Sequence, residues 1–194
     1  MGERLHRLWL SAGSLMLALG LGGAIAGAGA GFADPGGDVQ GGAKPDLALV
    51  SVSHTASTVT FRIRFASAPP LGVSASKGWV DMLVVGIDVP PRGLKPGAHG
   101  WSGLDYVAGL HGEEKTATVV KTSPNAPLQS KVLARPKVTV NGRTLSFSIS
   151  RTTLGNPAWI EFAVAAGRET SDQANGGSSD EAPNHDSFHY QLRR

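Results

Sequence analysis

Residues 58–65 alternate without a fault, with Val59, Phe61, Ile63 and Phe65 on one side and Thr58, Thr60, Arg62 and Arg64 on the other. A period of two sends successive side chains to opposite faces of an extended chain, so this segment buries its apolar side only as a strand. The same signature recurs along the chain. Leu47–Ser53 forms a second strand, joined to the first through the polar residues 54–57 as a hairpin. Trp79–Ile87 is apolar on both alternating faces apart from Asp81, which predicts a central strand covered on both sides. Leu104–Leu110 and Thr116–Lys121 are predicted to pair across a turn at residues 111–114.

Asn141-Gly142 lies between two alternating segments, Val138–Val140 and Arg143–Phe147, and predicts a two-residue hairpin turn. In the simplest register Val140 faces Arg143 and Val138 faces Leu145, with Leu145, Phe147 and Ile149 buried. Beyond Arg151, residues 152–157 (TTLGNP) hold only a helical turn. Trp159–Ala165 returns to strand with Ile160, Phe162 and Val164 inward, residues 170–187 read as a polar loop, and Phe188–Leu192 closes an edge. No segment after residue 46 sustains a helical period. The expected fold is therefore all-β, a mainly antiparallel β-sandwich of about eight or nine strands spanning residues 47–194.

The N-terminal region has a different logic. Arg4 and Arg7 precede a run from Leu8 to Gly31 with no charged residue, rich in Gly and Ala toward its end. This is the layout of a secretory signal peptide. The triplets Ala28-Gly29-Ala30 and Gly31-Phe32-Ala33 both place small residues where a signal peptidase requires them. The second is taken as the cut, which makes residues 1–33 the leader and residues 34–46, nearly all turn formers, a lead-in loop. The expected product is secreted, with about 160 residues, enough for a core, and no membrane span left after cleavage.

With no cysteine in 194 residues, disulfides, thiolate metal sites and thiol catalysis are excluded. Lys and Arg are scattered despite a formal net charge of +3, so nucleic acid is not an expected partner. An exported domain without disulfides depends on packing, hydrogen bonds or a metal. Asp34, Asp38 and Asp46 lie in the glycine-rich lead-in, where carboxylates and loop carbonyls can supply the six to eight oxygens that calcium takes. Without EF-hand spacing, they read equally as turn formers and a strand start. The late acidic residues Asp172, Asp180, Glu181 and Asp186 read first as a solvated loop and alternatively as the source of a further ligand.

Catalytic patterns are weak. Ser102, Asp105 and His111 lack a Gly-x-Ser-x-Gly elbow. Pairs for glycoside hydrolysis can be drawn from Asp81, Asp88, Asp105 and Glu161, as from any sandwich. Trp79, Trp101 and Tyr106 fall at strand ends among small and polar residues, where a sugar-stacking platform needs rings; Trp79 reads alternatively as a core indole.

In order along the chain come DPGGD at 34–38, Pro45-Asp46-Leu47, Gly86-Ile87-Asp88, GLDY at 103–106, LSFSISR at 145–151 with Leu154-Gly155, and DEAP at 180–183. In that order they resemble the DOMON-like sandwiches, which include family-9 carbohydrate-binding modules and accessory domains of secreted glucan-degrading enzymes. The resemblance implies a non-catalytic module that binds carbohydrate or a cell-surface glycan, with a structural calcium ion at Asp34, Asp38 and Asp46. The alternatives are a small extracellular enzyme and a structural or assembly partner with no small ligand.

Overall fold

The computed structural model describes residues 29–34, 37–39, 45–68, 70–90, 104–122, 131–170, 178–183 and 187–192. Two antiparallel sheets pack together as a β-sandwich. The strands are β1 (Ala30–Ala33), β2 (Leu47–His54), β3 (Thr58–Phe65), β4 (Val73–Ser74), β5 (Trp79–Asp88), β6 (Tyr106–His111), β7 (Thr118–Lys121), β8 (Lys131–Ala134), β9 (Thr139–Asn141), β10 (Thr144–Ser150), β11 (Trp159–Thr170), β12 (Ser178–Ala182) and β13 (Phe188–Gln191). One sheet has the order β1-β2-β3-β10-β9; the other runs β12-β11-β5-β6-β7-β8, with β13 also on β11 and β4 on β5. Among the described residues no helix is long and apolar enough to cross a membrane.

The periodic segments become the sheet interiors. The alternating face of β3 is buried at Val59, Phe61, Ile63 and Phe65, and its partner β10 buries Leu145, Phe147 and Ile149. From the opposite sheet, β5 contributes Leu83, Val85 and Ile87 and β11 contributes Ile160, Phe162 and Val164. Phe61 meets Phe162 edge to face between the sheets, with centroids 5.5 Å apart. That geometry suits the ring quadrupoles and adds to the area each ring removes from water. As its two apolar faces require, β5 is central, flanked by β11 and β6.

The strand count exceeds the expected eight or nine because several elements are too short or too polar to show a period. Residues 178–182 (SSDEA), inside the segment read as a polar loop, form β12 on β11. Its inward residues are Ser178, Asp180 and Ala182, so the alternation is present but polar. Upstream of the lead-in, Ala30–Ala33 pair with Leu49–Val52, and Phe32 packs on Phe162 and Phe188.

The second hairpin also departs from the expected register. Asn141 pairs with Thr144 and Val140 with Leu145, which makes Gly142 and Arg143 the two turn residues. Gly142 has φ +58°, and Arg143 is not among the positive-φ residues. Positive φ confined to a glycine at the first turn position is the type II′ pattern, whereas the expected turn needs it at both positions. Asn141 is thereby freed to remain in the ladder.

No neighbour lies within 4 Å of a Cβ placed at Gly142, so substitution there strains the backbone without a clash. Gly142→Val is expected to destabilise the fold by about 1 kcal/mol or more, and Gly142→Asn by less, because Asn tolerates positive φ. Thermal melts of both variants against the parent check this order.

Candidate functional site

Four aspartates converge where the end of β1, the start of β2 and β12 meet. The Asp34 N–H donates to Ala48 O at 3.3 Å, which holds the residue beside β2. Asp46 caps the lead-in by accepting the Gly37 N–H, at 3.2 Å on Oδ2, and Gly37 makes the tight turn at φ +88°. From the other sheet, Asp180 Oδ2 accepts the Leu47 N–H at 2.6 Å. One carboxylate oxygen from each of Asp34, Asp38 and Asp180 lies within 4.8 Å of the other two.

Burial makes this cluster costly. Asp34 is 7% exposed and Asp180 3%, and neither oxygen of Asp34 has a hydrogen-bond donor. Desolvation, followed by the charges of Asp180, Asp38 and Asp46, pushes the Asp34 carboxyl up to about 7. Asp180 is also raised, chiefly by burial, while the Leu47 N–H pulls it back. An oxygen-only set with one orphaned buried carboxylate fits a hard cation such as calcium.

The expected ligand set was Asp34, Asp38 and Asp46. Asp34 and Asp38 are brought together, but Asp180 is the third member of the close group; Asp46 is turned to Gly37, and its charge still acts on Asp34 and Asp180. The late acidic segment had offered Asp180 as a possible ligand. Only the β12 pairing, invisible to hydrophobic periodicity, delivers it.

Of the expected aromatic platform, Trp101 lies outside the described residues. Tyr106 is 6% exposed and belongs to the core, so it offers no ring face to a ligand. Trp79 carries the Arg168 guanidinium 3.6 Å above its ring. Arg168 in turn grips Asp81, Nε to Oδ1 at 2.6 Å and Nη2 to Oδ2 at 3.0 Å, and Asp81 Oδ2 also accepts the Gly72 N–H. That network stacks Trp79 within the protein. A different ring pair, which the sequence did not mark as a stacking platform, stands at the opposite end of the sheet. Trp159 packs on His189 with centroids 5.4 Å apart, and His189 Nδ1 is 3.8 Å from Glu161 Oε1.

Of the carboxylates considered for hydrolysis, Asp81 stands apart, while Asp88, Asp105 and Glu161 are brought together. Asp81 sits with Arg168 toward the start of β5, while Asp88 ends that strand directly opposite Glu161. Asp105, whose N–H donates to Ile87 O at 3.1 Å, lies on the other side of Asp88. Asp88 is fully buried, and no donor makes a well-formed hydrogen bond to its oxygens. Burial, then hydrogen bonding with the adjoining Asp105 carboxyl and its charge, and last Glu161 push it up to about 7, against a lowering from the nearby Val89 N–H. His111 is at the far end of β6 from Asp105, and Ser102 lies outside the described residues.

A carboxyl raised in the folded state keeps a proton that the unfolded chain has already lost. Stability contributed by that proton is present below the ordinary carboxylate value and is lost as pH rises through about 7. Chelator-treated protein is therefore expected to melt higher at pH 5 than at pH 8, and Asp34→Asn to flatten the slope; melting curves across that window check it.

Comparison with protein-family models, with curated proteins and with solved structures finds no match to this chain.

Proposed function

We propose that the protein is an exported, non-catalytic binding module, a β-sandwich stapled by calcium, whose partner is a carbohydrate or cell-surface glycan. The observation that carries the calcium reading is Asp34, buried, acceptor-only and facing two further carboxylates. Asp34 follows a strand of one sheet and Asp180 belongs to the other, so an ion between them ties the sheets together. The glycan reading draws on the resemblance noted in the sequence and on the Trp159–His189 pair, which sets an indole beside the Glu161 carboxylate. Trp101, in the sequence between β5 and β6, is the further ring that the resemblance brings to this reading. A non-catalytic role is supported by the split of the Ser-Asp-His grouping, with Asp105 and His111 at opposite ends of β6.

Export rests on the basic start and the uncharged run of the leader. Because Phe32 of β1 packs on Phe162 and Phe188, a cut at Ala28-Gly29-Ala30 keeps that ring in the mature chain, and this favours it over a cut after Ala33. Intact mass of the exported product is expected to give Gly31 as the first residue. A mature chain that starts at Asp34 selects the other triplet, and a chain that retains Met1 overturns export.

An ion that binds only the folded state stabilises it by about 2.7 kcal/mol at a hundredfold excess over Kd. Calcium is expected to raise the Tm of chelator-treated protein. Asp34→Asn is expected to raise the Tm in chelator, since it removes an unpaired buried charge, and to lose most of the calcium response. Coincident melts of wild type with and without calcium overturn this assignment. For the glycan, pull-down on insoluble polysaccharides and peptidoglycan is expected to retain wild type and to lose Trp159→Ala or Trp101→Ala, as truncating an aromatic anchor costs about 2 kcal/mol or more.

A further inference from the structure

The register of three adjacent strands places three acids side by side. Glu161 on β11 is directly opposite Asp88 on β5. One residue earlier, Ile87 is opposite Tyr106, so the same ladder continued past β6 sets Asp105 beside Asp88 on its other flank. Directly opposed residues of antiparallel strands share a face, and like charges in that arrangement repel. The row thus collects acids where a sheet would ordinarily alternate them with cations or apolar groups.

Its centre is the anomaly. Asp88 is 0% exposed, neither carboxylate oxygen receives a well-formed hydrogen bond, and the neighbouring Asp105 carboxyl is close enough to share a proton with it. The backbone donor at hand, the Val89 N–H, is directed at Asp105 Oδ2 at 3.2 Å. His189 stands at the outer flank against Glu161, and the Lys121 ammonium lies over the Tyr106 ring at 6.0 Å. By contrast, Asp81 on the same strand has both oxygens satisfied by Arg168. A fully buried carboxylate without a donor is among the most expensive groups a domain can keep, and the remedies are a retained proton, a counter-ion or a metal.

We propose that Asp88 and Asp105, flanked by Glu161, form a second site for a divalent cation of the oxygen-preferring type. Calcium is the natural test ion, because its loose geometry accepts carboxylates completed by backbone carbonyls and water. The site is separate from the Asp34 cluster, with which it shares no residue, and it stands at the two ends of the β5–β6 connection. An ion there holds the exit from β5 to the entry into β6. This inference goes beyond the binding role proposed above and does not depend on it.

Equilibrium dialysis of chelator-treated full-length protein at pH 7.5, with calcium raised to about 10 mM to exceed the affinity range of extracellular modules, separates the two sites. Wild type is expected to hold two ions per chain. Asp34→Asn is expected to hold one, and Asp88→Asn the other one. Should Asp88→Asn fail to fold, Asp105→Asn, at a less buried position, is expected to give the same loss of one ion. The proposal is overturned if wild type binds no ion, or one ion that Asp34→Asn removes. It is equally overturned if Asp105→Asn binds as many ions as wild type, the result expected when Asp88 and Asp105 simply share a proton. If Asp34→Asn leaves the count unchanged while Asp105→Asn lowers it, the first calcium site fails and this one stands.

Discussion

The ladder between β5 and β11, from Trp79 opposite Thr170 to Asp88 opposite Glu161, fixes where the charged groups of these two strands can go. At one end it sets Asp81 against Arg168, and at the other it sets Asp88 against Glu161. Between them Val85 meets Val164 and Ile87 meets Phe162, both turned into the core. A slip of one residue would turn the apolar set outward and draw the charges into the interior. The hydrophobic pattern thus enforces a register whose cost is an acid row at one end. That cost is accepted because the apolar pairs outnumber the charged ones along the ladder.

The two ends of β5 show how differently a buried carboxylate can be kept. Asp81 is tied to a guanidinium by two hydrogen bonds and a backbone N–H, and the guanidinium rests on Trp79. Such a pair recovers through charge-assisted bonds much of what desolvation takes. Asp88 and Asp34 recover nothing of the kind from donors. A domain's whole stability is on the order of 5–15 kcal/mol, and an uncompensated buried carboxylate costs several of those. Two of them in one sandwich call for neutralisation by protons or by cations, and at neutral pH these remedies give opposite responses to added calcium.

Much of the sandwich was legible in the sequence because its strands have one apolar face. The alternation of residues 58–65, the doubly apolar 79–87 and the inward set at 160, 162 and 164 are the β3, β5 and β11 of the structure. What escaped was specified by polar or long-range contacts. β12 alternates in burial with Ser178 and Asp180 inside, so a hydrophobicity pattern reads it as loop. The turn of the second hairpin shifted because one glycine satisfies a type II′ turn alone, leaving Asn141 to pair. At the site, the glycine-rich spacing pointed to Asp34 and Asp38, but Asp180 arrives through tertiary pairing, and Tyr106, placed at a strand end by its neighbours, turned out to face the core.

The acidic corner also adds a polar tie between the sheets of a chain that has no cysteine. Asp180 and Leu47 are separated by 133 residues, yet one short hydrogen bond joins them, and it spans the two sheets. Around it, Asp34 arrives from β1 and Asp38 from the lead-in, so two stretches of chain far apart in sequence end at one point. Closing loops of that length is entropically expensive once, and the cost grows only slowly with further length. A cross-link at that point therefore restrains nearly the whole chain for the price of one contact. A disulfide does this covalently; here the Leu47–Asp180 hydrogen bond does it, and the carboxylates around it repel unless a proton or a cation neutralises them. The strands β1 and β12 are the edges of their sheets, each in a ladder with one neighbour only, so a contact at this corner fastens both edges at once.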